Sequence, residues 1–436
     1  MQMQRKYGRK GKTMKILIKN GRILDPADDR DQVADLYVED GKVCEIDKNL
    51  TNQADRVIDA TGFLVMPGFI DLHVHLREPG LEYKETIETG AAAAAKGGFT
   101  TICAMPNTKP VVDCREVVED IYKRAQKVKC HVLQVGAVTK GQEGVELADI
   151  REMKQAGICA ISEDGKSVMD AKLYEQAMRI AREEELAVFA HCEDKNLVGK
   201  GALNAGKKAE ELGVEGIINA VEDIITARDI LLSKETGARL HLCHCSTADS
   251  VRMVKEAKEE GLLVTAEVCP HHFTLTEDDI VGADTNYKMN PPLRSKADKE
   301  ALVAGLAADI MDVISTDHAP HHAEEKAKSM AEAPFGIVGL ETAYALANSE
   351  LVQAGHLTEK QLVEKMSSNP AKVLGIEKGC IAVGKTADIV ITNPKEEYII
   401  DAGEFVSKGK NTPFHGRKVT GKVKYTILSG EVVYED

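Results

Sequence analysis

Residues 67–79 read PGFIDLHVHLREP, and in this stretch an apolar run delivers His73 and His75 one residue apart, with Arg77 two positions further on. Side chains alternate faces along a strand, so His73 and His75 point one way and Val74 the other. Two imidazoles on one face at a strand end form a chelate for a borderline-soft divalent metal. A single His-x-His pair is more often a surface or packed pair. Its weight grows because other polar residues close apolar runs later in the chain. These are Asn107 in AMPNT, Glu163 and Asp164 in ISEDG, His191 in FAHCED, His244 in HLCHCS and Asp317 in ISTDHAP. Four histidines and two carboxylates from five strand ends suffice for a binuclear zinc-type site.

Each has a structural explanation when taken alone. His191 or His244 could be a hydrogen-bonded interior histidine, Asp164 could shape the turn at Gly165, and Asp317 could cap a loop. Independent structural roles would not all choose the same rim. Neighbouring candidates fail the same test. Cys243 and Cys245 flank His244, so alternation should turn them toward the packed helices. His241 has the wrong parity, and His271 and His272 lie in a loop after a strand, where they would be structural or support ligands. His131 opens a strand and so belongs to the opposite end.

The elements that must position these residues alternate through the centre of the chain. Strands are expected at 69–75, 99–104, 131–138, 158–162, 187–191, 240–245, 262–268 and 313–317. Helices are expected at 86–96, 115–127, 145–155, 171–184, 219–234, 248–259 and 298–308. Eight strands alternating with helices predict an α/β fold, a (β/α)8 barrel of TIM type over 66–379, whose catalytic groups sit at the C-terminal strand ends. An open doubly wound sheet is the alternative, but no Gly-rich phosphate loop follows any strand. Short alternating runs with Gly turns fill 14–65 and 380–436, which predicts a small discontinuous β-sandwich domain built from both chain ends. The basic stretch 1–13, MQMQRKYGRKGKT, is expected to be a disordered extension, or to precede an effective start at Met14.

The 436 residues carry a net charge of −14, which argues against a nucleic-acid partner while leaving an anionic substrate open. Ten cysteines without CxxC pairs, and no secretory leader, read as reduced thiols of a cytoplasmic protein. No apolar stretch approaches membrane-spanning length.

Together PGFIDLHVHLREPG, AMPNT, AHCED, CHCST, MNPPLR, STDHAPH, APFGIVGLET and the late KGKNTPFHG resemble the type I bacterial dihydroorotases of the amidohydrolase superfamily. The resemblance runs from about residue 15 to the C-terminus. It implies a cyclic amidase that interconverts dihydroorotate and N-carbamoyl-L-aspartate in pyrimidine biosynthesis. It further implies Zn2+, one or two per subunit with a binuclear site favoured. His73, His75 and Asp317 would hold one metal, His191 and His244 the other, and Asp164 would bridge them. Many superfamily members bridge with a carboxylated lysine; an Asp stands here, as in the type I enzymes. Asp317 would be the catalytic proton carrier. His75, Arg77, Asn107 and His321 would bind the substrate on its carboxylate side, and Asn290 with Phe335 and Gly336 would meet the ring amide. The segment 323–336 resembles a mobile lid. A homodimer is implied, and some relatives associate with aspartate transcarbamoylase. The alternatives are another cyclic amidase (hydantoinase, dihydropyrimidinase or allantoinase) or a non-catalytic scaffold, which would typically have lost metal ligands.

Overall fold

The computed structural model describes residues 14–436; the basic stretch 1–13 lies outside the described residues. Five strands come first: β1 (Ile16–Asp25), β2 (Arg30–Glu39), β3 (Lys42–Asp47), β4 (Arg56–Asp59) and β5 (Leu64–Pro67). Eight barrel strands follow: β6 (Phe69–Val74), β7 (Phe99–Ala104), β8 (His131–Ala137), β9 (Ala160–Ser162), β10 (Ala187–Ala190), β11 (Arg239–Leu242), β12 (Val264–Val268) and β13 (Val313–Ile314). The chain ends in β14 (Ile389–Ile399), β15 (Lys418–Leu428) and β16 (Glu431–Glu435).

Strands β6 to β13 pair in chain order, each parallel to the next. The cylinder nearly closes where Val74 bridges His318 in parallel and the His75 N–H donates to the His318 carbonyl at 2.8 Å. Every residue of β6 and β7 is buried, as expected for parallel strands covered on both faces. Ile70, Leu72, Cys103, Val135 and Phe189 fill the barrel axis, with Leu374 packed among them. Phe69, Val74, Ile102, Ile121, Met153 and Met178 pack in a separate, larger cluster that includes the helices.

The two chain ends form one sheet in the order β16-β15-β14-β5-β1-β2-β3, with β4 on β1. Its pairings are mainly antiparallel, including β5 on β14. Alternate residues of β15 are buried, the period-2 pattern visible in KVTGKVKYTIL. Only Gly68 separates β5 from β6, and a Cβ there would meet the Thr100 side chain at 2.3 Å. This glycine lets the sheet run straight into the strand that carries His73.

Candidate active site

The barrel brings the six predicted ligands together. Asp164, two residues past β9, lies among all four histidines. Its carboxylate oxygens are 3.1 Å from His73 Nε2, 3.6 Å from His75 Nε2, 3.6 Å from His191 Nδ1 and 3.8 Å from His244 Nε2. Asp317 Oδ1 is 3.1 Å from His75 Nε2 and 3.6 Å from His73 Nε2, while His191 Nδ1 and His244 Nε2 are 2.9 Å apart. His73 pairs with His75 and Asp317, and again with Asp164 and His244, in two groups whose ligand atoms lie within 4.8 Å. All six residues are buried. His73 Nε2 makes no hydrogen bond even with Asp164 so close. A buried nitrogen left unsatisfied among carboxylates and imidazoles could ligate a cation. The donor set suits zinc-type metals, so the residues fit the metal implied by the motifs.

Burial opposes charge on Asp164, yet the imidazoles, His73 foremost, hold its carboxyl well below the usual range. Asp317 is also lowered against burial, chiefly by its hydrogen bond to His75. Burial and the Arg77 charge keep His75 lowered and neutral, the form a metal ligand needs.

Several ligands stand just past strands that are shorter than expected. Strand β11 stops at Leu242, and His244 takes φ 34° while Asp317 takes φ 48°. Alternation in fact carries through Cys243, with Leu240 and Leu242 on the helix side and His241 and Cys243 toward the axis, and it is His244 that leaves the phase. Cys243 does not turn toward the helices but packs along the barrel axis near Ile70 and Phe189, within 4.8 Å of the His73 and Glu267 ligand atoms. Cys245 does pack in the helix-side cluster. His241 projects inward, Nε2 3.0 Å from Glu267 and Nδ1 2.9 Å from Thr265 Oγ1. His131 lies 3.3 Å from Asp388, which belongs to the C-terminal segment.

Arg77 also lies past its strand, with φ 62°, so its direction comes from the loop. Its Nε donates to the Pro320 carbonyl at 3.2 Å, and Nη2 is 3.4 Å from His321 Nε2. Although Arg77 is buried, no carboxylate among the described residues is within ion-pair distance of it. His321 Nε2 lies 2.8 Å from the Phe335 carbonyl, and burial with the Arg77 and Lys84 charges pushes the ring down to about 2. Asn107 spans two ligands, its Oδ1 2.9 Å from His75 Nδ1 and its Nδ2 donating to Asp164 at 3.2 Å. Asn290 Nδ2 donates to Glu193, which lies 3.8 Å from His191 Nε2. Gly336 has φ 124°, and a Cβ there would crowd Ala319 Cβ at 2.6 Å. The segment 323–336, expected as a lid, is tied down. Lys326 Nζ donates to the Lys288, Pro334 and Gly336 carbonyls, and Lys288 Nζ to those of Met330 and Ala331.

Three residues escaped the sequence reading. Glu267 accepts from His73 Nδ1 and His241 Nε2, both at 3.0 Å, and from the His244 N–H at 3.2 Å, so it orients two candidate ligands. The available signal was an acid inside the mostly buried strand VTAEV. Glu193 joins His191 to Asn290. Asn411 accepts from the His321 N–H and donates to the Ala319 and Gly336 carbonyls, all at 3.0 Å.

A family model described as "Dihydro-orotase-like" matches residues 62–250. A dihydroorotase of Pelotomaculum thermopropionicum is 49% identical over 423 residues, covering 97% of this chain and 99% of that protein. Those of Bacillus cereus and Caldanaerobacter subterraneus subsp. tengcongensis are each 48% identical, again over 97% of this chain and 98–99% of theirs. The chain belongs to the dihydroorotase family. As a dihydroorotase-family chain of the amidohydrolase superfamily it is an enzyme, a hydrolase of cyclic amides. The family fold extends to solved structures with other names. The L-hydantoinase (dihydropyrimidinase) of Arthrobacter aurescens superposes with a TM-score of 0.86 at 30% identity, covering 96% of each chain. The dihydropyrimidinase of Brevibacillus agri gives 0.85 at 27%, covering 97% of this chain and 95% of that one. Among the described residues no helix is long and apolar enough to cross a membrane.

Proposed function

We propose that this dihydroorotase-family chain is zinc-dependent and hydrolyses the ring amide of (S)-dihydroorotate to N-carbamoyl-L-aspartate. In the biosynthetic direction it would close that ring for UMP synthesis. One observation carries the reading: Arg77 is buried beside the His75–Asp317 cluster, with no carboxylate partner among the described residues. A buried guanidinium is costly until paired, and the acid group of dihydroorotate would pair it bidentately.

In this proposal His73, His75 and Asp317 would hold one zinc and His191 and His244 a second, with Asp164 available to both. Bound zinc supplies a Lewis acid for the scissile carbonyl and lowers the pKa of water toward neutrality. Asp317 accepts the proton of the water that adds to the carbonyl, then returns it to the ring nitrogen as the C–N bond breaks. In ring closure the same carboxylate takes the proton of the attacking ureido nitrogen, and water leaves. Asn107 and His321 line the carboxylate side; Asn290 and the Phe335–Gly336 backbone line the ring amide. The proposal treats 66–379 as the catalytic domain and 14–65 with 380–436 as its companion. It has the enzyme working in the cytoplasm as a homodimer, with aspartate transcarbamoylase as a candidate partner.

The hydantoinase and dihydropyrimidinase structures favour a second reading, because their fold matches so fully. Arg77 and the Asp at position 164 weigh against it. Dihydrouracil lacks the acid group and would leave Arg77 unpaired. Dihydroorotate should exceed it by about 10^4-fold in kcat/KM, and Arg77→Ala should erase most of that margin. A preference of the unmodified enzyme for dihydrouracil would refute the assignment.

A further inference from the structure

Beyond the six clustered ligands, Cys269, His271 and His272 follow β12, where Pro270 opens the short helix Pro270–Thr274. One ligand atom from each lies within 4.8 Å of the others, and all three residues are buried. His272 Nε2 is 3.0 Å from the Pro291 carbonyl. A carbonyl can only accept, so Nε2 carries the ring hydrogen and Nδ1 presents a lone pair. That Nδ1 is buried and has no partner. Among the described residues, hydrogen bonds reach neither the Cys269 thiol nor the His271 ring; that ring packs on His272, centroids 4.2 Å apart.

An unsatisfied buried polar atom costs about 1–3 kcal/mol, and here one belongs to a ring that is clustered with two further side chains whose ligand atoms make no hydrogen bond. Burial lowers both rings, His272 to about 3, so both are neutral as metal ligands must be. We propose that Cys269, His271 and His272 form a separate binding site for a borderline-to-soft divalent cation such as Zn2+, Cd2+ or Co2+. One thiolate and two imidazoles make a three-protein-ligand set with a fourth position left for water. On binding, the thiol proton passes to solvent and the sulfur–metal bond forms; no redox change is involved. None of these residues belongs to the six-residue cluster, although the site adjoins it, with the Asp317 charge acting on both Cys269 and His271.

The test is cobalt loading of the full-length enzyme after chelation, followed by equilibrium dialysis and near-ultraviolet absorption. Unmodified protein should show a thiolate-to-cobalt charge-transfer band. Because Cys243 lies near His73, the band must be assigned by variants. It should survive Cys243→Ser, while Cys269→Ser should lose it together with one bound equivalent. His272→Phe, which keeps the thiol and removes the unpartnered nitrogen, should weaken cobalt binding at this site at least tenfold. Absence of the band from unmodified protein overturns the site without recourse to any variant. Its persistence in Cys269→Ser with unchanged stoichiometry does the same.

Discussion

Asp317 is asked to be both a ligand and a proton carrier, and one atom separates the two roles. Asp317→Asn keeps the shape and one oxygen near His75 but cannot shuttle a proton. It should retain most of the bound zinc while kcat falls about 10^2–10^4-fold, measured as turnover beside elemental analysis of the same sample. Near-normal turnover would remove Asp317 from the proton-carrying role. The six clustered residues were legible because each is a chemically distinctive type closing an apolar run. Glu267 was not: it sits mid-strand, and its partner His73 is 194 residues away. Cys243 was misdirected for a related reason. Its side was counted from His244, but the strand ends at Leu242 and His244, at φ 34°, has left the alternation that His241 and Cys243 share.

The β/α rhythm was readable, and most elements stand within a few residues of expectation. The helix expected over 145–155 begins at Ile150 instead, because the Asp149 side chain caps it by accepting the Glu152 N–H. Leu147 is drawn into a bridge with Thr139. The segment 323–336, read as a lid, is held in this conformation by Lys288 and Lys326, anchors that no local pattern announces. Burial, with the Lys288 charge, pushes Lys326 down to about 7. Its folded pKa thus lies below the unfolded value of 10.5, so between those limits the unfolded chain binds more protons and stability rises with pH. Between pH 7.5 and 9.5 this contributes on the order of 2 kcal/mol, at about 1.4 kcal/mol per unit. Lys326→Met should flatten the rise, read as the urea midpoint at the two pH values. An unchanged rise would mean that Lys326 keeps its proton in the folded state.

At the scale of the whole molecule, the C-terminal segment reaches the barrel mouth. Asn411 holds the loops bearing His321 and Gly336, although its partners lie 75 to 92 residues earlier. Contacts over such separations leave no periodic trace, whereas the pairing of the two chain ends was legible from their shared alternation. Asn411→Ala removes three hydrogen bonds, each contributing about 0.5–1.5 kcal/mol. It should raise KM for dihydroorotate about 10–100-fold, with kcat less affected and zinc content unchanged. A fall in Tm with KM unaltered would make Asn411 structural only.

Every role assigned above presupposes that side chains from five separate strand ends cage metal beside a buried arginine. Anomalous diffraction at the zinc edge, from crystals of the protein as purified, tests this directly. The expected result is anomalous density enclosed by His73, His75, Asp164, His191, His244 and Asp317. Zinc absent from that cluster in fully active crystals, or those side chains turned away from one another, would contradict it.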